Sequence, residues 1–216
     1  MENKIVYDDV QNYIRDLSQT SDKSLIEMEA YAEKNKVPII EAEVRNFLSI
    51  IVSLKKPSKI LEIGTAIGYS SIVMKKAYRD SSITTIEIDY DSAQIAKENF
   101  LKYGYEDIKV INEDASLALE KLEEKFDLIF IDAAKGQYMN YFDLSKKLLN
   151  KGGLIVCDNV LFRGMVAHKE LAEKRHRKVT IVKRLREFLE EISDSSKYET
   201  SIIPIDDGMS ITRIKN

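Results

Sequence analysis

KILEIGTAIGYSSIVMKKAY, residues 59–78, passes from an apolar stretch through two glycines into a segment with helical spacing. Gly64 and Gly68 permit a tight turn and close approach of backbone to a ligand. Ser70 and Ser71 stand where a helix begins, with free N–H groups and the positive dipole end facing out. Two glycines alone suit an ordinary strand-to-helix turn equally well. Their spacing is neither the three-glycine dinucleotide fingerprint nor a phosphate loop with Gly-Lys-Ser. The residues downstream of this stretch decide between an ordinary turn and a ligand site.

Strands and helices alternate there. ITTIEID (83–89), IKVINED (108–114), FDLIFID (126–132) and GLIVCD (153–158) are strand-like. Between them SAQIAKENFLKYG (92–104), SLALEKLEE (116–124) and YMNYFDLSKKLL (138–149) have helical spacing, and a polar helix runs roughly from Lys174 to Ile192. The chain closes with YETSIIPI and MSITRIK around Asp206-Asp207-Gly208, a hairpin with turn chemistry at its tip. This order predicts an α/β fold: a mostly parallel central sheet, helices on both faces and a C-terminal antiparallel hairpin. Upstream, Val6, Val10, Tyr13, Ile14 and Leu17 recur at helical spacing, as do Leu25, Ile26, Met28 and Tyr31. Val37-Pro38-Ile39-Ile40 breaks the pattern and Glu41–Leu54 restores it. One domain over 1–216 is expected, with a helical layer at 1–56 and the α/β core at 57–216.

Bulk properties narrow the classes. The 216 residues are 44% hydrophobic and 32% charged, with a net charge of -3, so the whole-molecule balance is not that of a nucleic-acid binder. The single cysteine, Cys157, excludes an internal disulfide and suits a reducing cytoplasm; strand alternation points it to the face opposite Asp158, as a buried structural thiol. No apolar run approaches the ~20 residues of a membrane span. The charged start MENKIVYDDVQNYIRD reads as no export signal, so a cytoplasmic location is expected.

Chemistry gathers at the strand ends, which share one rim in such a sheet. Glu87 and Asp89 end the second strand roughly twenty residues after the glycine turn, where an acid can accept hydrogen bonds from ribose hydroxyls. Asp114 ends the third, placed to meet an adenine amino group, with Ser116 as the cap of the next helix. Asp132, Asp158 and Asn159 end the fourth and fifth. Two carboxylates and an amide oxygen select a hard cation, Mg²⁺ first and Mn²⁺ as an alternative. Asp158-Asn159 alone would suit an Asx turn, and Lys135 alone a solvated loop lysine. Near a cation and shielded from water, Lys135 could instead take a proton.

Glycine turn, ribose acid and adenine-edge acid together resemble the Rossmann-like class I S-adenosylmethionine (SAM)-dependent methyltransferases, with a seven-stranded sheet. LEIGTAIGYSS, IEID, EDAS, IDAAKGQY and CDNV further resemble the cation-dependent O-methyltransferases of the catechol and caffeoyl-coenzyme A type, over nearly the whole chain. The resemblance implies cofactor contacts from Val37, Glu62, Gly64, Gly68, Tyr69 and Ser70, and from Glu87, Asp114, Ala115 and Asp132. It implies metal ligation by Asp132, Asp158 and Asn159, and Lys135 as the catalytic base.

The acceptor needs two neighbouring oxygens for the metal, as in a catechol or in 5-hydroxyuracil with its O4 carbonyl. Tryptophan, which walls the substrate of catechol enzymes in this family, is absent from the chain. IDAAKGQY and DNVLFRGMV are more similar to the bacterial branch that methylates 5-hydroxyuridine at the tRNA wobble position, giving 5-methoxyuridine. From Arg163 to Arg186 nine Lys/Arg stand against two acids. Arg163, Arg175 and Arg177 are thus candidates for a phosphate track toward a tRNA anticodon loop, against the simpler reading of a solvated helix face. Tyr69 or Tyr138 could stack on a splayed base. The rival expectations are a small-molecule catechol or hydroxycinnamate O-methyltransferase and a non-catalytic adenosine- or RNA-binding protein. The helical N-terminal layer offers a face for a homodimer.

Overall fold

The computed structural model describes residues 5–168 and 177–215. Its N-terminal layer holds α1 (Asp8–Leu17), α2 (Lys23–Asn35) and α3 (Ala42–Lys55). Then β1 (Lys59–Ile63), β2 (Ser82–Glu87), β3 (Lys109–Asn112), β4 (Phe126–Ile131) and β5 (Leu149–Cys157) alternate with α4 (Tyr69–Ala77), α5 (Tyr90–Tyr103), α6 (Ala115–Lys121) and α7 (Tyr138–Lys146). Helix α8 (Arg177–Ile192) and the pair β6 (Tyr198–Ile203) and β7 (Met209–Ile214) complete it. The sheet has seven strands in the order β3-β2-β1-β4-β5-β7-β6. Strands β1 to β5 pair in parallel, while β7 is antiparallel to both β5 and β6. Among the described residues no helix is long and apolar enough to cross a membrane.

Strand alternation divides the core. Ile60, Leu128, Phe130 and Val156 face one side, against α2 to α5, through residues such as Met28, Leu48, Ile72 and Phe100. Leu61, Ile63, Ile129, Ile131, Ile155 and Cys157 face the other, against α6 to α8, through Leu119, Phe142, Leu185 and Phe188. Each buried aliphatic side chain contributes about 1.5–3 kcal/mol by leaving water, so both faces of the sheet must be covered. The order of strands reverses between β1 and β4, and the loops leaving those two strands meet there.

Several boundaries differ from the sequence expectation. Strand β5 starts at Leu149 rather than Gly153, because Phe126 pairs with Leu149 across a register shift and the chain bends at Gly152, where φ is 74°. Helix α7 accordingly stops at Lys146. Helix α5 starts at Tyr90 because the Asp89 carboxylate caps it, accepting the Ser92 N–H at 2.8 Å. The expected start of the last helix, Lys174, lies outside the described residues, as does Arg175; Arg177 opens α8, and its side chain is likewise outside them.

Candidate active site

A cavity of about 590 Å³ lies beyond the carboxyl ends of β1, β2, β3 and β4. Gly64, Ser70, Glu87, Asp114, Ala115 and Asp132 line it, together with Tyr69, Lys135, Asn159 and, from the segment before α3, Val37 to Ile40. That segment reads in the sequence as a break between helices, with Val37 implied as a cofactor contact by the resemblance alone. In the fold it is the wall that the helical layer contributes to the site.

Glu62 is buried beneath the glycine turn. It lies on β1, is 0% exposed, and does not open on the cavity. Its carboxylate accepts from the hydroxyls of Ser70, Ser71 and Thr85, the last at 2.6 Å. Its side chain is spent inside the protein, where it holds the start of α4. Burial pushes its carboxyl up to about 7 against those three donors. For an acid whose folded value is raised, the associated stability is fully present below the unfolded value and is lost as pH rises through the folded one. Wild-type stability should thus fall between about pH 4.5 and 7, on the order of 3 kcal/mol, relative to a Glu62→Gln variant. Urea unfolding of both proteins across that range checks it; parallel pH profiles would refute it.

Gly68 has a packing role. It caps α4 at φ 84° and does not line the cavity; a Cβ there would meet the Phe100 ring at 2.5 Å. Glycine allows α5 to approach. Glu87 does open on the cavity, while its carboxylate accepts the Ala66 N–H at 2.8 Å and the Asp89 N–H at 2.9 Å. Asp114, rather than Ser116, caps α6, taking the Ser116 and Leu117 N–H groups on one oxygen.

Tyr69 and Tyr138 are 2% and 1% exposed, so neither is a platform for a splayed base. The Tyr69 hydroxyl donates to Glu29, which also pairs with Arg45 at 2.6 Å. The Tyr138 hydroxyl donates to the backbone carbonyl of Asp158 at 2.7 Å.

Asp132 and Asn159 open on the cavity; Asp158 lies behind them, 2% exposed, its carboxylate accepting the Asn159 N–H at 2.7 Å. Burial pushes the Asp158 carboxyl well up, and the neighbouring Asp132 adds to the shift. Burial raises Asp132 too, opposed by Lys135. The Lys135 ammonium donates to Asn159 Oδ1 at 3.0 Å. Among the described residues no cluster of three or more His, Cys, Asp or Glu side chains forms a metal site. The third oxygen here belongs to an amide. Two desolvated carboxylates close enough to oppose each other's charge, with a lone lysine opposite, fit a hard divalent cation.

A second recess, of about 450 Å³, adjoins Asn159. It is lined by Ile5, Val6 and Gln11, by Glu41, by Arg163, and by Asp206 and Asp207 of the β6–β7 turn. Gln11 donates to Asp206 at 2.9 Å, and Arg15 bonds Asp206 at 3.2 Å and Glu43 at 3.0 Å. The sequence marks Asp206 and Asp207 only as turn residues, and no local signal places Gln11 or Arg15 beside them. The basic stretch is also partly re-read: Arg184 and Arg186 bond backbone carbonyls of Gly136, Val166 and His168. Arg163 lines the recess beside Asn159.

A model of the O-methyltransferase family matches residues 15–215. A caffeoyl-CoA O-methyltransferase of Populus kitakamiensis is 32% identical over 185 residues, 82% of this chain and 77% of that protein. A catechol O-methyltransferase of Niastella koreensis is 32% identical over 179 residues, 79% of this chain and 81% of that protein. Among solved structures, the SAH-bound Podospora anserina methyltransferase PaMTH1 is 28% identical with a TM-score of 0.84, covering 97% of this chain and 95% of its own. The O-methyltransferase from Bacillus cereus in complex with SAH is 26% identical with a TM-score of 0.83, covering 96% of this chain and 97% of its own.

Proposed function

The chain belongs to the O-methyltransferase family, as a SAM-dependent enzyme of the caffeoyl-CoA and catechol type, and on that premise we propose that it methylates the 5-hydroxyl of 5-hydroxyuridine at the wobble position of tRNA. The observation that carries the chemistry is the meeting of Asp132, Lys135 and Asn159 on the wall of the cofactor-sized cavity. Asp132, Asp158 and Asn159 would hold Mg²⁺ or Mn²⁺. Bound there, the cation would draw two neighbouring acceptor oxygens together and lower the pKa of the one that reacts.

The remaining roles fall to the chain's own side chains. Glu87 and Asp114 offer carboxylate oxygens to the ribose and adenine ends of SAM. Gly64 lets that molecule lie against the backbone. Bound there, SAM would supply its sulfonium methyl to the acceptor oxygen, the carbon–sulfur bond breaking to release S-adenosylhomocysteine. Lys135, whose ammonium donates to Asn159 Oδ1 at 3.0 Å, would take the hydroxyl proton as the neutral amine. Holding the two reactants in line supplies much of the rate.

A uracil ring suits the polar recess, where Gln11, Glu41 and Asp206 offer amide and carboxylate groups to a heterocycle. Arg163 at the same recess suits a backbone phosphate. A second reading is favoured by the relatives, which include a catechol and a caffeoyl-CoA enzyme: a small-molecule acceptor. Either acceptor is compatible with a homodimer, which we include in the proposal and for which α1 supplies Tyr13 and Leu17, 66% and 70% exposed, on an apolar face. Nucleoside mass spectrometry of tRNA from cells lacking the protein tests the acceptor. 5-Hydroxyuridine should accumulate as 5-methoxyuridine disappears. Unchanged nucleosides, with turnover of caffeate by the purified enzyme, would replace the tRNA reading with the small-molecule one.

A further inference from the structure

Helix α8 is anchored in the core by Val182, Leu185, Phe188 and Ile192, all fully buried. From that fixed base it reaches the loops on both sides of the site. The Arg184 guanidinium donates from Nη1 to the carbonyl of Gly136 at 3.1 Å. Gly136 is the residue after Lys135, in the short 3₁₀ turn Lys135–Gln137. Arg186 donates from Nε to the carbonyl of Val166 at 2.7 Å and from Nη2 to the carbonyl of His168. Those carbonyls belong to the loop that follows Asn159 and carries Arg163, and Phe162, Arg163 and Gly164 in that loop all have positive φ. From the same helix Phe188 packs edge-on against Tyr138, with ring centroids 5.8 Å apart, and the Tyr138 hydroxyl donates to the Asp158 carbonyl.

We propose that Arg184 and Arg186 are positioning residues for methyl transfer, Arg184 fixing the loop of Lys135 and Arg186 the acceptor-side loop of Arg163. This rests on Lys135 and the recess having the roles assigned above. A guanidinium offers several donors in a rigid fork, so one side chain can hold two carbonyls of a loop whose backbone would otherwise face water. The bonds differ in exposure: that of Arg184 is exposed and single, that of Arg186 partly buried and double. Their consequences should differ too, since one loop carries the proton-holding group and the other the acceptor wall.

Arg184→Ala should lower kcat about tenfold through misplacement of Lys135, with KM for SAM and acceptor within about twofold. Arg184→Lys should recover most of that loss, because an ammonium can donate to one carbonyl. Arg186→Ala should raise the acceptor KM about tenfold and leave the SAM KM unchanged. Arg186→Lys should recover little, having one head group for two carbonyls. Amide hydrogen exchange on the same purified proteins reads the brace without any substrate. Arg184→Ala should speed exchange at 133–137 only, and Arg186→Ala at 161–168 only. Exchange that is unchanged, or raised throughout the chain, would overturn the proposal. So would kcat and KM effects that simply track a fall in Tm, in the lysine variants as well as the alanine ones. Localised exchange without the kinetic split would leave the brace standing and remove the roles assigned to Lys135 and the recess.

Discussion

Asp158→Asn is expected to lower methyl transfer by at least about 10³-fold while making the cation-free protein more stable. The two effects have one cause. Asp158 and Asp132 are carboxylates drawn out of water side by side, each pushed up by burial, with Lys135 as the positive group opposing them. A buried acid whose folded pKa is raised loses stability as pH climbs through that value, so at neutral pH the pair is a net cost. A divalent cation would offset it. Asparagine keeps the shape and the oxygen that accepts the Asn159 N–H at 2.7 Å, yet carries no charge. The variant should gain about 1–2 kcal/mol without cation, as stability exchanged for function at a site does. Thermal melts with MgCl₂ and with EDTA, alongside turnover, check both halves. Wild type should melt higher with MgCl₂, and the variant should be indifferent. Near-normal turnover in the variant, or a wild type equally indifferent to the cation, would defeat the assignment of Asp158.

The features legible in the sequence are the local ones. Strand periodicity, the glycine turn and an acid at each strand tip are properties of short segments, and Gly64, Glu87, Asp114, Asp132, Lys135 and Asn159 do meet on one cavity wall. Residues whose partners come from distant elements are not legible in local pattern. The sequence around Glu62 does not reveal that Ser70, Ser71 and Thr85 converge on its carboxylate from α4 and β2. Arg184 and Arg186 add to a basic stretch by composition, whereas the loops they hold lie 48 and 18 to 20 residues away in the chain. Asp206 reads as hairpin chemistry because its turn is local; its neighbours Gln11 and Arg15 are almost the whole chain distant. Strand β5 reads short because Gly152-Gly153 imitates a turn, and only the pairing of Leu149 with Phe126 shows the strand continuing through it.

Gly64→Ala should be the most damaging single-methyl change in the molecule. Gly64 sits at φ 100°, in the left-handed region where a side chain is strained, and an added Cβ would lie 1.9 Å from the Asp132 carbonyl oxygen. That oxygen cannot swing aside as a side chain could. Asp132 is tied to β1 through its N–H and the Ile63 carbonyl at 2.9 Å, and Gly64 to β2 through the Ile86 carbonyl at 2.9 Å. Relief would require β1 and β4 to part where the strand order reverses, which is also where the cavity is formed. A loss above about 4 kcal/mol is expected, with the cofactor cavity lost alongside it. Gly104→Ala separates the two contributions. Gly104 has a φ of 77° as well, but nothing lies within 4 Å of its added Cβ. Its substitution should cost only about 1–2 kcal/mol, the backbone strain alone. Urea midpoints of the two variants measure the difference, and SAM binding by calorimetry should survive in Gly104→Ala alone. Equal midpoints would mean that the contact between the β1 and β4 loops does not constrain the fold, and the close backbone approach that shapes the cavity would lose its physical basis.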